Sequence, residues 1–308
     1  MKAIKISQVS KTLGRTKRID DLSFEIEAGE IFALLGPNGA GKTTAIKLLT
    51  GMLKPDDGKV DFMGLDPIKD KKEVRRKIGL VPQETSLYPE LSAVDNLSFH
   101  AALYMPEIKN AKKRISEILE LVELKERSKE PVKTYSGGMK RRLAIGRALL
   151  SNPEVLILDE PTLGVDVQGT HRIWDYIKQF SKQGKTVLVT TNVMQEADYL
   201  SDRILIIDHG KKIVSGSSPQ LKSQLGEDQI VITPKPGVKL PLEKIKEKTG
   251  EFRIDNRNNL IFKGVKGDKT LINIVSELSK LIEIDSVEMK KPSLDDVFLY
   301  YTGRSLRD

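Results

Sequence analysis

One stretch of the chain carries unmistakable chemistry: Gly36-Pro37-Asn38-Gly39-Ala40-Gly41-Lys42-Thr43-Thr44. It fits G-x-x-x-x-G-K-[ST], the phosphate-binding loop, in which glycines let backbone N–H groups curl inward around an anion. Lys42 is spaced to reach β- and γ-phosphates, and the Thr43 hydroxyl to ligate magnesium. A second group is Asp159-Glu160, two adjacent carboxylates closing the apolar run Val155-Leu156-Ile157-Leu158. At the end of a strand they emerge at the sheet's carboxyl edge, where α/β ligands bind. Strand alternation sends them to opposite sides, Asp159 toward the metal and Glu160 toward an attacking water. A third is Ser136-Gly137-Gly138, which precedes a helix and reads either as an anion nest or as a simple N-cap.

These residues need a scaffold, and the flanking pattern supplies one. Ile31-Phe32-Ala33-Leu34-Leu35 has the length of a buried strand, and Lys42 to Thr50 suits a helix ending at Gly51. Strands are expected at Ala3 to Val9, Ile19 to Ile26, Lys59 to Met63 and Ile78 to Val81. From Ser92 to about Leu150 the pattern turns to successive helices, the first opened by Ser92-Ala93-Val94-Asp95 and interrupted at Met105-Pro106-Glu107. Strands resume at Val155 to Leu158, Thr186 to Thr190, Ile204 to Ile207 and Lys212 to Val214. The expected fold class is α/β: a mainly parallel sheet with an inserted helical block at about residues 84–152, the whole spanning 1–224. Residues 225–308 form a second domain, whose order β-α-β-β-α-β predicts a small ferredoxin-like α+β unit. A last helix, Ser293 to Tyr301, is expected to be capped by Ser293.

Composition narrows the classes. A chain of 308 residues with 39% apolar and 31% charged content fits about two globular domains with a solvated surface. No cysteine is present, which excludes disulfides, zinc–thiolate sites and thiol nucleophiles. No apolar run reaches the ~18 residues of a membrane span, and the N-terminus lacks a signal core. The net charge of +8 comes from short clusters such as Lys71-Lys72 and Arg75-Arg76-Lys77, interleaved with helix-spaced apolar or acidic residues. Without aromatic stacking platforms these read as solvated helix faces, so no nucleic-acid partner is expected; attraction to an anionic membrane leaflet stays open as a third reading.

Four further stretches, in order, complete a resemblance to the ATP-binding cassette (ABC) ATPases over roughly residues 1–224. Val81-Pro82-Gln83 resembles the Q-loop, and Tyr135-Ser136-Gly137-Gly138-Met139 the signature usually written LSGGQ. Val155 to Pro161 resembles Walker B with its catalytic glutamate, and Leu163-Gly164-Val165-Asp166 the D-loop. The resemblance is strongest to ATPase subunits of the daunorubicin-resistance and multidrug-export type, through Leu87-Tyr88-Pro89-Glu90-Leu91, Glu196-Ala197-Asp198 and the tail Pro292 to Phe298.

The resemblance implies ATP and Mg2+ as cofactors, with Thr43, Gln83 and Asp159 around the metal and Glu160 activating water. It implies a head-to-tail homodimer, or pairing with another ATPase subunit, in which Ser136, Gly137, Gly138 and Asp166 serve the nucleotide held by the other chain. It also implies a separately encoded membrane permease and a cytoplasmic, peripheral location. Two positions depart from the family. Asn192 stands where the H-loop histidine is expected, and it donates a hydrogen bond but cannot become cationic. Leu13 stands about where an adenine-stacking aromatic is expected. A non-transport ABC ATPase acting on ribosomes or DNA, or an ATP-gated regulator with little hydrolysis, remain alternatives at this level.

Overall fold

The computed structural model describes residues 1–104, 111–225, 229–238, 240–255, 258–262 and 268–303. The break expected at Met105-Pro106-Glu107 lies outside them, as does Lys263, the expected end of a second-domain strand that starts at Leu260. Two compact units are present, Met1–Ser218 and Pro219–Ser305.

In the first unit, β1 (Lys2–Leu13), β2 (Thr16–Glu27), β3 (Ile31–Leu35) and α1 (Lys42–Leu49) lead into β4 (Asp57–Phe62), α2 (Lys71–Lys77) and β5 (Ile78–Val81). The helical block follows as α3 (Ala93–Tyr104), α4 (Ala111–Leu121) and α5 (Gly137–Leu149). The chain then alternates through β6 (Val155–Asp159), α6 (Val167–Lys182), β7 (Thr186–Thr191), α7 (Met194–Leu200), β8 (Arg203–Asp208) and β9 (Lys211–Gly216).

Six strands form one sheet in the order β5-β6-β7-β3-β8-β9, parallel except where β9 runs antiparallel to β8. Every residue of β3, β6 and β7 is buried, as a central parallel strand covered on both faces requires. Alternate residues face opposite cores. Leu156, Leu158, Val187 and Val189 pack with α3 to α6, while Ile157, Leu188, Leu34 and Leu205 pack with α1 and the N-terminal strands. The amphipathic α6 turns Ile173, Trp174, Ile177 and Phe180 inward.

The first two strands are longer than the sequence pattern suggests and do not join this sheet. They form a separate antiparallel sheet, β2-β1-β4, whose register is interrupted by several bulges. Bulges break the period-2 alternation, which is why the pattern ends early. Ser92 caps α3 as expected, accepting from the Asp95 N–H at 3.1 Å. Among the described residues no helix is long and apolar enough to cross a membrane.

The second unit begins within α8 (Ser218–Ser223) and runs β10 (Gln229–Pro234), α9 (Leu242–Thr249), β11 (Arg253–Ile254), β12 (Leu260–Phe262), α10 (Asp268–Ser279), β13 (Ile284–Lys290) and α11 (Leu294–Thr302). Its four strands are antiparallel in the order β11-β12-β10-β13, the ferredoxin-like arrangement expected from the β-α-β-β-α-β order. Ile230, Ile232, Ile245, Leu260, Phe262 and Leu278 form its core. Ser293 caps α11 in a reciprocal capping box with Asp296.

Candidate nucleotide-hydrolysis site

The site lies at the carboxyl edge of the six-stranded sheet. The loop after β3 and the carboxylates after β6 are separated by a single strand, β7, which contributes Thr190 and leads into Asn192. Strands about 4.8 Å apart leave a gap of roughly 10 Å between the two loops, which side chains can bridge.

The loop is held tightly from outside. A Cβ on Gly36 would stand 2.4 Å from the Ile207 carbonyl oxygen. Gly41 has φ +110°, and a Cβ there would stand 2.7 Å from the Arg18 carbonyl oxygen. Gly41 also begins α1 and offers no side-chain cap, so the N–H groups of the first turn keep their donors for an anion. Lys42 is buried, and its Nζ donates to the carbonyls of Gly36 at 2.8 Å and Pro37 at 3.1 Å. The same nitrogen lies 3.3 Å from Glu160 Oε1. Burial pushes the Lys42 pKa down, and the Glu160 charge opposes that fall.

Asp159 closes β6 almost fully buried. Thr43 Oγ1 donates to its Oδ2 at 2.9 Å, and Thr190 Oγ1 donates to its Oδ1. Glu160 requires a correction. The strand ends at Asp159, and Glu160 follows in the left-handed region at φ +48°. Strand alternation therefore does not aim its side chain; the turn does, and it sends Glu160 Oε2 to accept from Gln83 Nε2 at 3.0 Å.

A cleft of about 260 Å³ opens over these groups, lined by Asn38, Gly39, Gly41, Lys42, Thr43, Thr44, Gln83 and Glu160. Gly36, Pro37 and Ala40 complete the loop without lining it. Asn192 stands beside it, donating from Nδ2 to Asn38 Oδ1 at 3.3 Å. Ser136, Gly137, Gly138 and Asp166 are not among the lining residues. Instead Ser136 caps α5, accepting from the Met139 N–H at 3.3 Å, and Asp166 caps α6, accepting from the Gly169 N–H at 2.7 Å. These two helix starts are neighbours, since a Cβ on Gly137 would stand 3.0 Å from the Gly164 carbonyl oxygen.

Sequence reasoning missed Arg18, which also lines the cleft. Nothing in its local pattern marks it: it is an exposed basic residue in β2, and only the placement of that strand against Gly41 brings it to the loop. Among the described residues no aromatic lines the cleft, and Leu13 sits at the tip of the β1–β2 hairpin, paired with Thr16.

The donor set suits a hard cation. Thr43 hydroxyl and Asp159 carboxylate oxygens lie 2.9 Å apart, and the Gln83 amide adds a third oxygen-bearing side chain on the same cleft. Among the described residues no group of three or more His, Cys, Asp or Glu gathers to cage a metal. The hydroxyl, single carboxylate and amide oxygens fit Mg2+, which is bound through one or two carboxylates and fills its shell with other oxygens from water and phosphate.

Comparisons with known proteins agree with this geometry. The "ABC transporter" family model matches residues 19–163, and the model "ATP-binding protein DrrA1-3-like, C-terminal domain" matches residues 216–302. The chain is 38% identical to the linearmycin resistance ATP-binding protein LnrL of Bacillus subtilis (strain 168), over 99% of this chain and all of that protein. It is 35% identical to a daunorubicin resistance ATP-binding protein of Streptomyces coeruleorubidus, over 99% of this chain and 97% of that one. Among solved structures, a dimeric post-hydrolysis state of an ATP-binding cassette bound to ADP and Pi superposes with a TM-score of 0.64 at 28% identity, covering 70% of this chain and 98% of that one. The chain therefore belongs to the ABC transporter ATP-binding proteins, the subunits that hydrolyse ATP to power transport, and among them to the drug-resistance and export type that carries a DrrA-like C-terminal domain.

Proposed function

We propose that this chain binds Mg-ATP, pairs head to tail with a second copy or a related subunit, and drives a separately encoded permease that exports amphipathic compounds. The observation that carries the reading is the position of Glu160, between Lys42 Nζ at 3.3 Å and Gln83 Nε2 at 3.0 Å on the wall of the cleft. From there its carboxylate takes the proton of the attacking water, while Lys42 and the α1 N-terminus hold the phosphates. Thr43, Asp159 and Gln83 would hold Mg2+, which would supply positive charge to offset that of the phosphates.

Pairing is supported by what the cleft leaves out. Ser136, Gly137 and Gly138 do not line the cleft of their own chain, so a second chain is the source of a signature turn for its open side. Permease docking is supported by an exposed apolar face on the helical block. Tyr88 and Phe99 meet edge to face at 5.0 Å, 49% and 42% exposed, with Leu103 and Tyr104 further along α3. The type of cargo is supported by the resistance named for the two relatives. On this reading the protein lies on the cytoplasmic face of the membrane through its permease.

Size-exclusion chromatography of Glu160→Gln with ATP and Mg2+ tests the pairing. Removing the water-activating carboxylate leaves the phosphate loop and signature in place, so a stable dimer should accumulate. A monomer at saturating, demonstrably bound ATP would contradict it.

A further inference from the structure

The first turns of α5 contain a buried arginine that no motif assigns. Arg141 is 3% exposed, and its guanidinium is spent on main-chain oxygens. Nε donates to Pro161 O at 2.8 Å, Nη2 to Asp159 O at 2.6 Å, and Nη1 to Pro82 O at 2.6 Å and Gln83 O at 3.2 Å. Burial pushes its pKa down to about 10, opposed by Asp159, Glu196 and Glu160, so it remains a cation at neutral pH.

The identity of these four acceptors matters more than their number. Asp159 O and Pro161 O flank Glu160, the residue held at φ +48°. A side-chain-bearing residue keeps that conformation only where its surroundings over-determine it. Pro82 O and Gln83 O belong to the segment that carries the other partner of the Glu160 carboxylate. One planar fork thus clamps the backbone on both sides of the Gln83–Glu160 hydrogen bond. The same arginine rides on the helix that begins with Gly137 and Gly138.

We propose that Arg141 is a positioning residue that sets the direction of the Glu160 carboxylate against Gln83 and couples that setting, through α5, to the Ser136–Gly138 turn. The proposal rests on Glu160 being the water-activating group. If Arg141 only filled buried carbonyls, its replacement would lower stability and leave the chemistry of the folded protein alone. If it positions Glu160, its replacement lowers turnover in a way that depends on Glu160.

The test is a double-mutant cycle in the full-length protein: Arg141→Lys, Glu160→Gln and the pair, with Arg141→Gln as a second probe of the same position. Lysine keeps the charge but cannot span four oxygens with a fixed fork. Thermal unfolding, ATP affinity, and single-turnover hydrolysis of radiolabelled ATP are measured for each. The expected result is a folded Arg141→Lys protein with ATP affinity within about twofold of wild type and hydrolysis slowed about ten- to hundred-fold, the scale of a small misplacement. In the Glu160→Gln background the same change should produce no further slowing. Equal slowing in both backgrounds, or weakened ATP binding with hydrolysis unchanged, would overturn the proposal. So would loss of folding in both Arg141 variants, which marks a plain structural anchor. Wild-type hydrolysis by Glu160→Gln alone would instead remove the reading of Glu160 on which the proposal stands.

Discussion

Lys42 Nζ and Glu160 Oε1 lie 3.3 Å apart, although one residue follows β3 and the other β6, and β7 runs between those strands. On the proposed function, the contact joins the cation that would meet phosphate to the carboxylate that would activate water. Both groups are buried; besides each other, Lys42 has the carbonyl oxygens of Gly36 and Pro37, and Glu160 has the Gln83 amide N–H. The phosphate loop and the carboxylate after β6 are therefore joined by one ion pair.

The cleft offers the base a cation, Arg18. Among the described residues no aromatic lines the cleft, whereas a guanidinium such as that of Arg18 can stack on a purine face. Arg18→Ala should weaken ATP binding by about 1 kcal/mol and leave tripolyphosphate binding within about twofold, the size of an exposed cation–π contact. Discrimination between ATP and GTP should be weak in wild type, and Leu13→Tyr should tighten ATP by adding a stacking surface. Titrations with the three ligands check this. A hundredfold preference for ATP over GTP in wild type, or equal losses for ATP and tripolyphosphate in Arg18→Ala, would contradict it.

Asn192 tests how much charge the γ-phosphate contact needs. Its amide already points to the loop through Asn38. A neutral donor there forgoes about half the strength of a charge-assisted bond, on the order of 1–2 kcal/mol. Asn192→His should raise steady-state phosphate release about five- to thirty-fold. A variant no faster than wild type, in a protein that plainly turns over, would remove this account of the position.

Much of the site was legible because its parts are contiguous in sequence. Glycines, Lys42 and Thr43 fall within one short loop, and Asp159 ends a run whose burial is complete. What stayed hidden depends on long-range placement. Arg18 becomes a cleft residue only because β2 lies against Gly41, and Glu160 is aimed by a left-handed turn that no periodicity announces. Lys140-Arg141-Arg142 looks by composition like another solvated basic cluster. Yet Arg141 and Arg142 are both buried, Arg142 donating to Val122 O at 2.8 Å. The second unit was readable as an element order, since each strand and helix carries its own periodicity, though β11 is only the two residues Arg253–Ile254.

The aromatic pair on the helical block should matter for coupling and not for chemistry. Tyr88→Ser with Phe99→Ser removes exposed rings that face neither Lys42 nor Glu160, at a stability cost of about 1 kcal/mol. ATP hydrolysis by the isolated subunit should change by less than about twofold, the scale of an ordinary surface change. Export in membranes carrying the permease should be lost. Retained transport, or crosslinks from this face landing only on ribosomal components, would contradict the docking role.

His100 should make the helical block sensitive to acid. Burial, with the nearby Arg147 charge, pushes its pKa down to about 4, and its ring lies 4.7 Å from that of Tyr104. The folded value is below the unfolded value of about 6.5, so the unfolded chain takes the proton first as pH falls. Stability is therefore full above about pH 6.5 and declines toward pH 4, by about 1–2 kcal/mol once solvent screening is allowed for. Denaturant unfolding should show this decline in wild type and a flatter profile in His100→Gln. Identical profiles would contradict it.

The central claim, that this chain hydrolyses ATP with Glu160 as the group that activates water, is tested most directly by phosphate release from wild type and Glu160→Gln at saturating Mg-ATP. General-base catalysis contributes about 10²- to 10⁴-fold, so the variant should lose at least about a hundredfold in turnover while binding ATP as tightly as wild type. A Glu160→Gln protein that releases phosphate at the wild-type rate would contradict the account.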